Sequence, residues 1–383
     1  MLPAFILKNA RIFDGQSFLA PGFSVVVKPP HIVAITTHPP SHLPAVDLSN
    51  KVIAPGFVDL QVNGGGGQYA SLDPSESSFE QILNAHLKHG TTSLLLTIIS
   101  SATNTRQEAL KTLKKIASKE HSLLAGAHLE GPFLNPAKKG AHHEPWLQPP
   151  DSELLKQMAE EGEGIVRAMT VSPELFTPGN LDILLETGWV ISAGHTNASY
   201  ESAMSFFDHG GRMATHLFNT MPPVSGREPG IVTAIFEHPS ARAGIIADGN
   251  HVHPAAIRLA HRVMGNRLFL ISDATFLGQK GGDVYFGPTT FRMKDGVCYN
   301  QEGKLAGSSI SLADAVRYCI TEVGMKEADA LRMATYTPAS VLGESHRIGR
   351  LGKGMLANMV VLNDEWEPEK IYFEGQEVAD GND

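Results

Sequence analysis

Val190-Ile-Ser-Ala-Gly-His195 is a short apolar run that ends in a residue able to do chemistry. The same design returns in Phe57-Val-Asp-Leu-Gln-Val-Asn63, Ala127-His-Leu-Glu130, Met213-Ala-Thr-His216 and Leu270-Ile-Ser-Asp273. Runs of this length suit strands buried on both faces, and the segments between them carry helical periodicity. Eight such strands are expected, ending near Gln61, Thr97, Glu130, Val171, His195, His216, Asp248 and Asp273. Repeated βα units at this spacing predict a (β/α)8 barrel of the TIM type, an α/β fold. In the first gap Phe79, Ile82, Leu83, His86 and Leu87 recur at helical spacing, and Gly90 supplies the stop. The next helix is expected to open at Thr105, with Glu108 completing a capping box.

The ends of the chain read differently. Phe5-Ile-Leu, Arg11-Ile-Phe and Phe23-Ser-Val-Val-Val are separated by Asp-Gly and Pro-Gly turns, and Met359-Val-Val-Leu and Ile371-Tyr-Phe repeat the style near the other terminus. Too few to form a core alone, these strands are expected to meet in one small β-sandwich built from both termini. The expected division is 1–53 and 351–383 for the β-domain, with 54–350 as the barrel.

Composition narrows the function classes. The chain has 383 residues, 42% of them hydrophobic, enough for a large core. Its net charge of −9 provides no overall field for nucleic acid or an anionic membrane, so an anionic ligand would need a local positive pocket. No apolar run reaches bilayer length, no basic-then-apolar leader opens the chain, and two cysteines, Cys298 and Cys319, cannot frame a disulfide fold. A soluble cytoplasmic protein with no membrane or nucleic-acid partner is expected, its cysteines structural.

A TIM-type barrel places its chemistry at the C-terminal ends of its strands. Glu130, His195 and His216, ending strands three, five and six, form a two-His, one-carboxylate set. That leaves an open coordination position for water on a catalytic divalent metal, most typically zinc. A single strand-end histidine is more often a satisfied polar residue than a ligand, and the chain holds 17 of them. The joint occurrence of the three is the signal. Asp273 closes strand eight as a fourth ligand, a helix cap or, preferred here, the base that takes a proton from water and returns it to a leaving nitrogen. One of His142 and His143, in the loop after strand three, would polarise a substrate carbonyl, unless both are simply exposed. Asn219, Thr220 and Arg227 lie in a proline-stiffened loop with one cation suited to phosphate, and His251 follows strand seven. Gly64–Gly67 is a flexible turn bordering the same rim. No P-loop, nucleophile elbow or H-E-x-x-H helix occurs.

Pro55-Gly-Phe-Val-Asp-Leu-Gln-Val-Asn-Gly-Gly, His128-Leu-Glu-Gly-Pro-Phe-Leu, Lys139-Gly-Ala-His, Gly194-His-Thr, His216-Leu-Phe-Asn-Thr-Met, Gly226-Arg-Glu-Pro-Gly and Ser272-Asp-Ala-Thr share an order along the chain. Together they resemble the N-acetylglucosamine-6-phosphate deacetylases of the amidohydrolase superfamily. The resemblance implies hydrolysis of the acetamide of N-acetyl-D-glucosamine 6-phosphate to D-glucosamine 6-phosphate and acetate, in amino-sugar catabolism and recycling. It implies one divalent metal, zinc, on Glu130, His195 and His216, with Asp273 catalytic and His142 polarising the carbonyl. Substrate would be held by His142, Asn219, the Thr220 backbone N–H, Arg227 and His251, the last two contributed by the neighbouring subunit of a homodimer. Gln61-Val-Asn63 stands where many amidohydrolases carry His-x-His, and no lysine lies near Val171. A single-metal site is therefore implied, with Gln61 and Asn63 contacting metal-bound water. Phe276-Leu-Gly-Gln-Lys-Gly-Gly departs from the family pattern, which leaves N-acetylgalactosamine 6-phosphate, or another amide, as an alternative substrate. A catalytically silent barrel serving as a binding module is the alternative from a different class.

Overall fold

The computed structural model describes residues 3–286 and 289–378. It divides into two compact units, one of residues up to 59, 86–93 and from 311 onward, the other of 60–85 and 94–310.

The first unit contains the terminal strands. β1 (Phe5–Lys8), β2 (Arg11–Ile12), β3 (Ser24–Lys28), β4 (His31–Thr36), β5 (Ala45–Asp47) and β6 (Val52–Pro55) come from the N-terminal side. One sheet has the order β4-β3-β1-β5. In the other, β6 pairs antiparallel with Met359–Leu362, joining the two ends of the chain. Leu7, Val25, Val27 and Ile32 of the first sheet share one buried cluster with Ile53, Met359, Val361 and Tyr372 of the second. Two sheets closing over a common apolar layer make the expected small sandwich. Residues 379–383 of its expected C-terminal part lie outside the described residues.

The barrel begins with β7 (Phe57–Val62), which is followed by a small hairpin, β8 (Gly64–Gly65) and β9 (Gln68–Tyr69), and by α1 (Glu76–Leu87). Then come β10 (Thr91–Ile99), α2 (Thr103–Ala117), β11 (Leu124–Glu130), α3 (Ser152–Gly162), β12 (Val166–Val171), α4 (Pro178–Leu185), β13 (Val190–Ala193), α5 (Tyr200–His209), β14 (Met213–Ala214), α6 (Gly230–Glu237), β15 (Arg242–Ile245), α7 (Pro254–Met264) and β16 (Leu268–Leu270). These eight major strands form one sheet in sequence order, and a parallel bridge from Val62 to Ala274 closes the ring. Every residue of Thr91–Ile99 is buried, so both faces of the strand are covered. α2 opens earlier than expected, capped by Ala102, three residues before Thr105, and Thr105 makes no capping box. Ala109, Leu110, Leu113 and Ile116 are buried along it, so packing of this stripe, not the local cap, fixes the helix.

Beyond the barrel strands lies an antiparallel meander outside the alternating pattern: β17 (Gly282–Phe286), β18 (Thr289–Lys294) and β19 (Val297–Tyr299). Its sequence signal is Asp295-Gly296 between two strand-like runs, and both residues have the positive φ of a tight hairpin turn, 53° and 77°. α8 (Leu312–Thr321), α9 (Glu327–Ala334) and α10 (Tyr336–Val341) belong to the first unit, which ends with β20 (Met359–Leu362), β21 (Pro368–Phe373) and β22 (Gln376–Glu377). Among the described residues no helix is long and apolar enough to cross a membrane.

Candidate active site

Strands five, six and eight stop short of the residues that matter. β13 ends at Ala193, β14 at Ala214 and β16 at Leu270, whereas the expected ends were His195, His216 and Asp273. The reason is backbone conformation: these three residues take positive φ values of 48°, 33° and 48°, which no strand can continue. Non-glycine residues held there cost free energy that the surrounding structure must repay, and such residues concentrate at functional sites. Gly194 permits the first of these turns, because a Cβ on it would stand 2.7 Å from Thr170 and 2.9 Å from Thr215.

All three side chains, with Glu130, line one cavity. His195 Nε2 and His216 Nε2 lie 3.2 Å and 3.1 Å from Glu130 Oε1, and 3.1 Å from each other. His195 Nδ1 sits 2.8 Å from the Lys138 carbonyl oxygen, which can only accept, so Nδ1 carries the hydrogen and Nε2 the lone pair. A carboxylate oxygen and imidazole nitrogens thus meet with little between them but repulsion unless positive charge sits there. A tetrahedral ion bound about 2.0 Å from each donor would set its ligands about 3.3 Å apart. The donor set of Glu130, His195 and His216 therefore fits a single divalent cation. Burial opposes ionisation of Glu130, but the neighbouring His195 and His216 outweigh it and hold its carboxyl well below the usual range. Burial likewise opposes charge on His216, where the Glu130 bond and charge prevail and raise it.

Around this triad stand the other candidates. Asn63 Nδ2 donates to Asp273 Oδ1 at 2.7 Å, and Gln61 Nε2 donates to Glu130 Oε1 at 3.1 Å. Burial, then the charge of Glu130, raises the Asp273 carboxyl to about 6. His142 Nε2 is 3.8 Å from Glu130 Oε2, and burial, then His195, depresses His142 to about 3, leaving the ring neutral. His143 is the partner of Trp146 instead, ring to ring at 4.9 Å, so the loop commits only one of its two histidines to the cavity. His128, two residues before Glu130, is a satisfied core histidine, bonded to Thr97 at 3.1 Å and Thr170 at 2.7 Å. His142 Nδ1, His216 Nδ1 and Asn63 Oδ1 are buried without a hydrogen-bond partner within the protein.

Asn219, Thr220 and His251 also line the cavity. His251 is held by Asp248, 2.7 Å from its Nδ1. Arg227 is exposed in its loop and does not line the cavity. Sequence reasoning missed Tyr69 and Phe291, which supply an apolar wall, and Leu305-Ala306-Gly307, which supplies backbone. The Asp295-Gly296 turn would have revealed the sheet that carries Phe291; the small-residue run Ala306-Gly-Ser-Ser is the only signal for the other segment. Cys298 and Cys319 are buried, and burial pushes both thiols up to about 12, in keeping with a structural role.

Comparison with known proteins agrees with this geometry. The Amidohydrolase family signature matches residues 52–379. N-acetylglucosamine-6-phosphate deacetylase of Haemophilus influenzae is 31% identical over 327 residues, covering 84% of this chain and 85% of that one. N-acetylgalactosamine-6-phosphate deacetylase of a Shewanella species is 33% identical over 342 residues, covering 87% and 84%. The crystal structure of N-acetylglucosamine-6-phosphate deacetylase from Pasteurella multocida superposes with a TM-score of 0.94 at 32% identity, over 98% of this chain and 100% of that one. The chain belongs to the amidohydrolase family and, within it, to the group of N-acetylglucosamine-6-phosphate deacetylases.

Proposed function

We propose that this chain hydrolyses the acetamide of N-acetyl-D-glucosamine 6-phosphate, releasing acetate and D-glucosamine 6-phosphate, in amino-sugar catabolism and recycling. The observation that carries the reading is the convergence of Glu130, His195 and His216 beside Asp273 in one cavity. Glu130, His195 and His216 would hold one divalent cation, zinc by the donor chemistry, which when bound supplies Lewis-acid polarisation and acidification of water. Asp273, steadied by Asn63, takes the proton of the attacking water and returns it to the amide nitrogen as the C–N bond breaks. A carboxyl raised to about 6 is suited to both transfers near neutral pH. Neutral His142 donates an N–H to the acetamide oxygen, where negative charge develops. Gln61 and Asn63, whose amides reach Glu130 and Asp273, keep the attacking water between ligand and base.

Asn219, the Thr220 backbone and His251 hold the sugar phosphate from within the chain. Among the described residues no lysine or arginine lines the cavity, which supports a guanidinium, Arg227, arriving from a second copy in a homodimer. Replacing Arg227 with Ala is expected to raise KM for the phosphorylated sugar about tenfold or more with kcat nearly unchanged, since the contact is shared by ground and transition states. Steady-state kinetics on N-acetylglucosamine with and without the phosphate decide this, and equal losses on both would remove Arg227 from the phosphate site. The acidic balance and buried free thiols support a cytoplasmic location, and we assign catalysis to 54–350 and the small β-domain to 1–53 and 351–383.

A second reading has a specific basis in the Shewanella relative, whose name carries the galacto epimer. Acetate release measured side by side on the two 6-phosphates tests the proposal, the gluco substrate being expected to give the higher kcat/KM. A clear preference for the galacto epimer would transfer the assignment, and no acetate from either would refute it.

A further inference from the structure

His195 must hold an unfavourable backbone conformation while presenting one ring nitrogen accurately, so something has to clamp its turn. The clamp is assembled from the loops after three consecutive barrel strands. After β13, Thr196 and Asn197 follow the ligand. Beyond β12, Glu174 sits in a short 3-10 turn, Pro173–Leu175. Following β11, Asn135 caps the turn that leads to Lys138, the acceptor of His195 Nδ1.

Glu174 connects all three. Its Oε1 accepts the Asn197 backbone N–H at 2.7 Å and the Asn135 side-chain amide at 2.8 Å, and its Oε2 accepts the Thr196 hydroxyl. Ser172, two residues earlier, donates its hydroxyl to the His195 carbonyl at 2.6 Å and accepts the Asn135 backbone N–H at 2.7 Å. The carboxylate therefore restrains His195 from both sides: through the chain that follows it, and through the loop whose Lys138 carbonyl fixes its tautomer. A carboxylate in one loop that accepts from three donors of the two loops beside it suits support better than chemistry.

We propose that Glu174 is a positioning residue that, by tying the loops after strands three, four and five, preorganises His195 as a metal ligand. This rests on the metal site proposed above. Residues supporting a ligand from outside the coordination sphere typically change metal affinity or activity 10- to 100-fold when removed, about the range expected here.

The test measures Zn²⁺ dissociation constants by competition with a chromogenic chelator for the wild type, Glu174→Gln and Thr196→Val, alongside the melting temperature of each metal-free protein. Glu174→Gln keeps shape but turns an amide donor toward donors; Thr196→Val removes one donor to the carboxylate together with the acceptor of the Ala198 N–H. Affinity weakened about 10- to 100-fold by Glu174→Gln, and less by Thr196→Val, with metal-free melting temperatures within about 4 °C of wild type, supports the brace. Wild-type affinity in both variants overturns it, as does a loss of metal-free stability with unchanged affinity. If Glu174→Gln does not fold, Thr196→Val decides alone: weakened affinity supports the proposal and unchanged affinity overturns it. Failure of the underlying metal reading has a separate signature, a wild-type protein that itself binds no Zn²⁺.

Discussion

An Asp273→Asn enzyme is expected to retain its metal and its substrate affinity but to lose about 10³- to 10⁴-fold in kcat. The magnitude follows from what the side chain does. General acid–base catalysis is typically worth about 10²- to 10⁴-fold, and Asp273 is asked to serve twice, once on water and once on the leaving nitrogen. Asparagine has nearly the same shape, and its oxygen can still accept from Asn63 Nδ2, the contact that is 2.7 Å in the native site. Neither fold nor ligand set should therefore move. Steady-state acetate release with parallel metal analysis checks the prediction. A variant with kcat within about tenfold of wild type would exclude Asp273 as the base.

Stripping the divalent cation is the second large effect. Glu130, His195 and His216 crowd three donor atoms within 3.2 Å of one another, an arrangement that only added positive charge makes favourable. Dialysis against a strong chelator is expected to lower acetate release by about 10³-fold or more, and stoichiometric Zn²⁺ is expected to restore it. Stability should follow the same ligand. A cation that binds only the folded chain, present at about a thousand times its Kd, stabilises by about 4 kcal/mol, so the metal-free protein should melt measurably lower. Chelator-resistant turnover would contradict the proposed chemistry, and a melting temperature indifferent to Zn²⁺ would contradict the proposed site.

How legible was this site before the structure? Glu130 could be read directly, because its strand continues to that residue and the polar side chain falls at the last position. His195, His216 and Asp273 were identifiable as residues but not in register: positive φ leaves no mark on a sequence, so each strand appeared two or three residues too long. His142 and His143 were indistinguishable in the text, and only folding turned one into the cavity and the other onto Trp146. His251 was named by resemblance, and its bond to Asp248, three residues earlier, carries no signal of its own in the sequence. The Phe291 wall was missed because it arrives from an inserted meander rather than from a barrel strand. Glu174 was passed over altogether. A loop carboxylate has no periodicity, and its meaning lies in hydrogen bonds to residues 22, 23 and 39 positions away in the chain. The sandwich was the easier half, since alternating strands with turn dipeptides at both termini have few other ways to bury their apolar faces.

The central claim is that three side chains from separate strands hold one cation, and elemental mass spectrometry after exhaustive dialysis examines it most directly. The account predicts about one divalent ion per chain in the wild type and well under a tenth of that in His216→Ala, with Asp273→Asn still loaded. Full metal content in His216→Ala, or two ions per wild-type chain, would contradict it.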